Sequence, residues 1–277
     1  MSTTSKLRML AVTLTILSAI VVAVLAVLPR GSETMPPPAK DFEPSRHRVV
    51  AVFGATGTVG DGLLKAVMND PDVEKIHVIT RRPSPRIEEG AASGRITVTT
   101  HTDYLDYSPL GEVLAEVDAV FWAIGTSTRN VSKEQYGVIH VGFPVAFVEA
   151  WLAAGKEGEL SFHYVSGSGA KKDSSWHWAR EKARGERVLF DLAEGTKVRV
   201  VSYRPAAVIH TAERAGLGDS LMQFALGPFK LTVKSTAIGQ AMLEVSARGD
   251  EVGNGTILEN ADILMYANGY SNRAASP

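Results

Sequence analysis

Three glycines spaced three apart close the segment Val49-Val50-Ala51-Val52-Phe53-Gly54-Ala55-Thr56-Gly57-Thr58-Val59-Gly60. An apolar run feeds a turn poor in side chains, and an amphipathic stretch follows it. Bare peptide N–H groups at the positive end of a helix receive a phosphate chain at close range. Gly54, Gly57 and Gly60, with Thr56, Thr58 and Val59 between them, therefore form the candidate cradle for a pyrophosphate. A tight turn without a ligand is the plainer reading, and spacing alone does not separate the two. Context does: a strand before, a helix after and a second strand about 25 residues on make the βαβ unit of a dinucleotide site.

That second strand ends Ile79-Thr80-Arg81-Arg82-Pro83. A plain NAD site has an Asp or Glu here to accept hydrogen bonds from the ribose hydroxyls. None stands there, since Asp70, Asp72 and Glu74 all precede the strand. Arg81 and Arg82 instead present two guanidinium groups suited to a 2′-phosphate, which favours NADP over NAD. A solvated basic pair at a strand end is the alternative. Two further strand ends join the set. Asp103-Tyr104 would border the adenine, and Ala123-Ile124-Gly125-Thr126 would meet the nicotinamide half, because Gly125 has no side chain to block it.

The elements that position these residues alternate. Short runs rich in Val, Ile and aromatics at 49–53, 75–80, 95–100, 119–124, 160–166 and 198–203 read as buried parallel strands. Helical patterns lie near 60–69, 108–116, 133–154 and 174–194. The rhythm predicts an α/β fold with a doubly wound parallel sheet, its ligand crevice at the carboxyl ends of the strands. After Arg204 the pattern weakens; a helix at 235–247 and a strand at 256–258 are expected in a small C-terminal region on the substrate side. His140 falls in the third helical stretch and reads as a packing residue.

Composition narrows the partners. The 277 residues carry a net charge of −1, which gives no argument for a nucleic-acid partner, and no cysteine, which excludes disulfides and thiolate chemistry. The His, Asp and Glu residues show no spacing typical of metal ligands, so no metal is expected. Met9 to Leu28 is an uncharged apolar run long enough to cross a bilayer, and it predicts an N-terminal transmembrane anchor after a short tail, 1–8. A cleaved signal peptide is the rival. Arg30, Lys40, Arg46 and Arg48 place the following domain on the cytosolic side, at the endoplasmic reticulum or the mitochondrial outer membrane. The sequons at Asn130 and Asn254 would be open to glycosylation only on the other side. Residues 29–46, with Pro36-Pro37-Pro38, read as an extended linker to a domain at 47–277.

Taken in order, the glycine loop, Thr80-Arg81-Arg82, Ala123-Ile124-Gly125-Thr126-Ser127-Thr128, Tyr164-Val165-Ser166-Gly167-Ser168-Gly169-Ala170 and Tyr203-Arg204-Pro205 resemble the atypical short-chain dehydrogenase/reductases, which have NAD(P)-binding Rossmann domains. Within them the chain is similar to the branch of the human HIV Tat-interacting protein and the fungal mitochondrial Fmp52-like proteins, over roughly residues 48–268. The resemblance implies bound NADP(H) and a Ser–Tyr–Lys constellation. In it a tyrosine passes the proton, a lysine lowers its pKa and a serine orients the carbonyl. Lys182 fits the lysine and Ser168, with Ser166 beside it, fits the serine. Four residues before Lys182, where the tyrosine should stand, the chain has Trp178, and an indole has no hydroxyl to give. His177, Tyr136 or Tyr164 would have to supply the proton, or the site binds nucleotide and does little chemistry.

Two functions follow. One is a membrane-anchored NADP-dependent oxidoreductase acting on a small, lipophilic carbonyl or alcohol. The other is a regulatory NADP(H)-binding module with unidentified protein partners. A sugar-nucleotide epimerase is a weaker third, because it too calls on the missing tyrosine.

Overall fold

A computed structural model describes residues 34–275, so the segment 9–28 read as an anchor lies outside the described residues. The chain opens with β1 (Val49–Phe53), α1 (Thr58–Asn69), β2 (Lys75–Thr80), α2 (Pro85–Ala92), β3 (Ile96–Thr100), α3 (Gly111–Glu116) and β4 (Ala119–Trp122). It continues through α4 (Lys133–Ala153), β5 (Leu160–Val165), α5 (His177–Ala193) and β6 (Val198–Arg204). A smaller unit follows, with β7 (Ala207–Ile209), α6 (Leu217–Leu226) and β8 (Thr232–Lys234), before α7 (Ser235–Ala247), β9 (Thr256–Glu259) and α8 (Asn260–Ala274).

Seven strands form one parallel sheet in the order β3-β2-β1-β4-β5-β6-β9, while β7 and β8 pair separately. The order reverses between β1 and β4, and a crevice opens at their carboxyl ends, as in a Rossmann fold. Alternating side chains serve both faces. Val50 and Val52 join Leu63 and Val67 of α1 and Met242 of α7, whereas Ala51 and Phe53 join Phe147 and Trp151 of α4. Both faces of every central strand meet helices, so the strands read as continuous apolar runs. The Phe53 ring stacks on Trp122 at 4.6 Å and meets Phe147 edge-on at 4.8 Å.

Helix α4 is long and apolar enough to cross a membrane, yet Phe147, Val148 and Trp151 are buried against the sheet, which makes it a core helix. It contains a π turn at Val138–Gly142. Tyr164 donates its hydroxyl to the His140 carbonyl inside that turn at 2.9 Å. A Cβ on Gly185 of α5 would lie 2.7 Å from the same oxygen, so α5 packs on the turn at backbone contact.

The proline-rich stretch forms no helix or strand over 34–39, and from Pro36 onward it is docked on the domain. Arg248 donates to the Pro37 carbonyl at 3.0 Å, Glu43 N–H to Ala247 O at 2.8 Å, and the Arg273 guanidinium lies 3.9 Å above the Phe42 ring. Pro36 fits because residue 269 is glycine; a Cβ there would sit 2.6 Å from the proline Cγ. Residues 36–46 of the stretch read as a linker are therefore docked on the domain.

The aromatic cluster under β1 and β4 sets a test of the packing. Phe147→Ala is expected to lower the unfolding free energy by about 3–5 kcal/mol in urea titration, with the secondary structure retained.

Candidate functional site

The glycine loop serves two needs. Gly54 has φ +76°, and a Cβ there would lie 2.5 Å from the carbonyl carbon and oxygen of Ala123 at the end of β4. A Cβ on Gly60 would fall on the Gly54 carbonyl. These two glycines are required by the turn itself. Gly57 differs: a Cβ there would meet only the Gly54 oxygen at 3.4 Å, and the residue is exposed at the N-cap of α1. Its own N–H closes the turn onto Gly54 O at 2.9 Å. The amides of Thr58, Val59 and Gly60 then head the helix without intrahelical acceptors, an anion site in waiting.

A cleft of about 370 Å³ extends from this loop along the strand ends. Gly54, Thr56 and Gly57 line one end, Arg81 and Arg82 the wall beyond β2, and Ala123, Gly125 and Thr126 the wall beyond β4. Arg81 and Arg82 are exposed, and among the described residues neither guanidinium pairs with a carboxylate. Arg86, by contrast, is locked onto Asp61 at 3.0 Å and Glu213 at 3.1 Å. Tyr104 lines the cleft, buried, its ring 5.4 Å from Phe143. Asp103 does not; its carboxylate accepts the Leu105 N–H at 3.0 Å, and Thr102 takes the lining position.

His140 forms the floor beneath Gly125. A Cβ on Gly125 would lie 3.0 Å from the His140 Cε1, and the Thr126 N–H donates to its Nε2 at 3.3 Å. Burial first and the Lys182 charge second lower its pKa to about 3, so the ring stays neutral. The packing role holds, although Nδ1 has no partner among the described residues.

The carboxyl end of β5 gathers the serine and lysine positions. Lys182 donates to the Ser166 carbonyl at 2.8 Å and the Val165 carbonyl at 3.4 Å. Burial lowers its pKa to about 8 against the opposing charge of Glu186. Ser166 is buried, with its Oγ unpartnered among the described residues, whereas Ser168 is exposed and its N–H bonds Pro205 O at 3.0 Å. Trp178 packs over Gly169, where a Cβ would lie 3.5 Å from the indole. The two tyrosines proposed as substitutes are buried. Tyr164 is fully buried on the His140 carbonyl, and burial raises its pKa. Tyr136 is 2% exposed, its ring 4.1 Å from His140, and burial raises its pKa to about 12. His177 points to the Lys133 carbonyl at 3.3 Å.

Arg204 of the Tyr203-Arg204-Pro205 motif is held by helix α5: buried Glu186 pairs with it at 2.6 Å and accepts the Ser202 hydroxyl at 2.8 Å. A third group of residues was not visible in the sequence. Thr58 Oγ1 lies 2.9 Å from His210 Nε2, and His210 Nδ1 lies 2.8 Å from Asp219. Arg214 rests on the carbonyls of Thr56 and Gly57 at 3.4 and 3.5 Å. Only the fold brings these groups together, since some 150 residues separate them from the loop.

Residues 50–209 match the NAD dependent epimerase/dehydratase family. The chain belongs to that family. It is 25% identical over 236 residues to the mitochondrial protein fmp52 of Emericella nidulans, covering 79% of this chain and 95% of that one. It is 28% identical over 144 residues to the leucinostatins biosynthesis cluster protein T of Purpureocillium lilacinum, and spans 51% of that protein. Among solved structures it resembles a 3-oxoacyl-[acyl-carrier protein] reductase from Brucella melitensis, with a TM-score of 0.59 at 16% identity over 79% of this chain and 97% of that one. It also resembles the UDP-glucuronic acid 4-epimerase of Bacillus cereus, bound to UDP-glucuronic acid and NAD, with a TM-score of 0.57 at 14% identity over 76% of each chain. The structural likenesses show the Rossmann-like fold, and the family match places the chain among the NAD dependent epimerases/dehydratases.

Two outcomes check this site. Gly57→Ala is expected to leave the melting temperature of the free protein nearly unchanged, whereas Gly60→Ala lowers it, as scanning calorimetry would read. Lys182 makes the second. Its amine titrates at about 8 in the fold against 10.5 when free, so the unfolded chain holds more protons between those values. Stability should rise with pH across that window, and Lys182→Met should flatten the rise.

Proposed function

We propose that the chain is a membrane-anchored, NADP-dependent oxidoreductase of the short-chain dehydrogenase type, acting on a small lipophilic carbonyl or alcohol. The observation that carries the NADP reading is the pair of unengaged guanidinium groups, Arg81 and Arg82, on the cleft wall opposite the glycine loop. The residues fit the cofactor. A Cβ on Gly57 would meet only the Gly54 oxygen, at 3.4 Å, which leaves room beside it for a pyrophosphate, and the amides of Thr58 to Gly60 head the helix there. Arg81 and Arg82 would hold the 2′-phosphate, Tyr104 would flank the adenine, and Gly125 would let the nicotinamide half approach the backbone. The bound nucleotide would supply the hydride.

Proton handling falls to this chain's own side chains. With Trp178 in the tyrosine position, Lys182 is the titratable group at the end of β5 whose pKa, about 8, is matched to transfer near neutrality. Ser166 Oγ, buried and unpartnered, is the hydroxyl there with a free donor to turn toward a substrate oxygen. Membrane anchoring rests on residues 9–28 and supports the lipophilic substrate, which would partition into the same bilayer. The fmp52 relative is named mitochondrial, which supports a mitochondrial location, while the cytosolic orientation rests on the basic residues that follow 9–28.

Trp178, together with the sequestered hydroxyls of Tyr136 and Tyr164, favours a second reading: a nucleotide-binding regulatory module with little turnover.

Thermal shift with NADPH and NADH tests the cofactor. Saturation at 100 times the dissociation constant stabilises by about 2.7 kcal/mol, and NADPH should give the larger shift. Arg81→Ala/Arg82→Ala should abolish that preference; equal shifts in the wild type would remove it as a claim. Turnover with a panel of lipophilic aldehydes and ketones, lost in Lys182→Met while NADPH still binds, is expected for the enzyme. Tight NADPH binding with no turnover on any carbonyl selects the module.

A further inference from the structure

At the amino-terminal edge of the sheet, away from the cleft, three ligand-bearing side chains converge. His47 ends the 3₁₀ turn Pro44–His47 that leads into β1, and Asp70 and Asp72 flank Pro71 between α1 and β2. We propose that His47, Asp70 and Asp72 form a structural site for one divalent transition-metal ion, zinc foremost.

Their geometry suits an ion. One ligand atom from each of the three lies within 4.8 Å of the others. A tetrahedral zinc ion with bonds of about 2.0–2.2 Å needs its ligand atoms ~3.3–3.5 Å apart. His47 Nε2 stands 3.9 Å from Asp70 Oδ1, too far for a hydrogen bond and a small contraction from sharing a metal.

Burial supplies an independent observation. His47 is 2% exposed, and neither ring nitrogen has a hydrogen-bond partner among the described residues. Buried polar groups are nearly always partnered, so an imidazole aimed at two carboxylates without a bond marks a missing ligand. Asp70 is 3% exposed. Its Oδ1 accepts the Asp72 N–H at 2.8 Å, which fixes the turn that presents both carboxylates.

The neighbouring charges leave the cluster negative. Arg273 and Asp118 act on His47 from a distance with opposite signs. Arg273 is engaged by Glu244 and stacks on Phe42, and Asp118 is held by Lys156 at 2.8 Å. Tyr270 of α8 interacts with Asp70 as an outer partner of the kind that orients a ligating carboxylate. An imidazole beside two carboxylates suits zinc or manganese better than magnesium or calcium, which favour all-oxygen shells. Bound there, the ion would fasten the end of the docked strap to the α1–β2 turn.

The test uses the full-length protein stripped with a chelator, then titrated with zinc chloride alone and, separately, with manganese and magnesium. One equivalent of zinc should bind, raise the melting temperature and be retained through desalting, as elemental analysis would count. Asp72→Asn, an exposed position that should fold, is expected to weaken zinc binding by more than tenfold while leaving the NADPH thermal shift intact. Tyr270→Phe should weaken it by about tenfold. Absence of stoichiometric zinc in the wild type overturns the site, as does equal affinity in Asp72→Asn and Asp70→Asn. Tighter binding of magnesium than zinc overturns the assignment of the metal.

Discussion

The close approach of one backbone turn to the next strand governs this molecule. Gly54 lies against the Ala123 carbonyl at the end of β4, and Gly60 lies against the Gly54 carbonyl. Both contacts exclude a Cβ, so they fix where α1 begins relative to β1 and β4. The helix start then faces the topological switch point, where the strand order reverses and the crevice must open. The fold and the anion site are thus one constraint. Gly57 is the glycine of the three whose missing side chain the turn itself does not require.

A second set of contacts ties the smaller C-terminal unit to the same helix. Asp61, buried in α1, takes Arg86 from α2 and the Thr211 hydroxyl at 2.7 Å from the segment after β7. The pair His210–Asp219 continues from Thr58 into the first turn of α6. No residue of α6 is buried, and Leu217, Leu221 and Phe224 expose an apolar face. Its position is therefore set by polar contacts with the nucleotide loop, since apolar packing contributes little. Any change at Thr58 on nucleotide binding is one hydrogen bond from His210 and two from α6.

The strands and long helices of the first 200 residues were legible because they are buried on both faces or strongly periodic. The runs 49–53 and 75–80 are the observed β1 and β2 to the residue, and 235–247 is α7. What the sequence hid is explained by weak patterns. Helix α2 begins among Pro83 and Pro85, α6 has little to bury, and α8 carries Gly269 where Pro36 must fit. The site divided the same way. The glycine loop, Arg81, Arg82, Tyr104 and the Ala123–Thr126 strand end line one cleft, since local motifs determine them. Asp103 bonds its own turn, and the groups that cross the fold, His210, Arg214 and the His47–Asp70–Asp72 cluster, have no local signature.

Trp178 stands where the resembled family has a tyrosine, four residues before Lys182. The tyrosine it stands for would contribute a hydroxyl to the reaction, but the helix around it is held by contacts that need no hydroxyl. Gly185 packs on the His140 carbonyl, Glu186 binds Arg204, and Lys182 reaches the strand carbonyls. The frame of α5 therefore survives the replacement. Burial disfavours the charged amine of Lys182 more than Glu186 favours it, and its pKa falls to about 8. At that strand end the Lys182 amine bonds the Ser166 carbonyl, and the hydroxyl of the same serine is buried without a partner among the described residues.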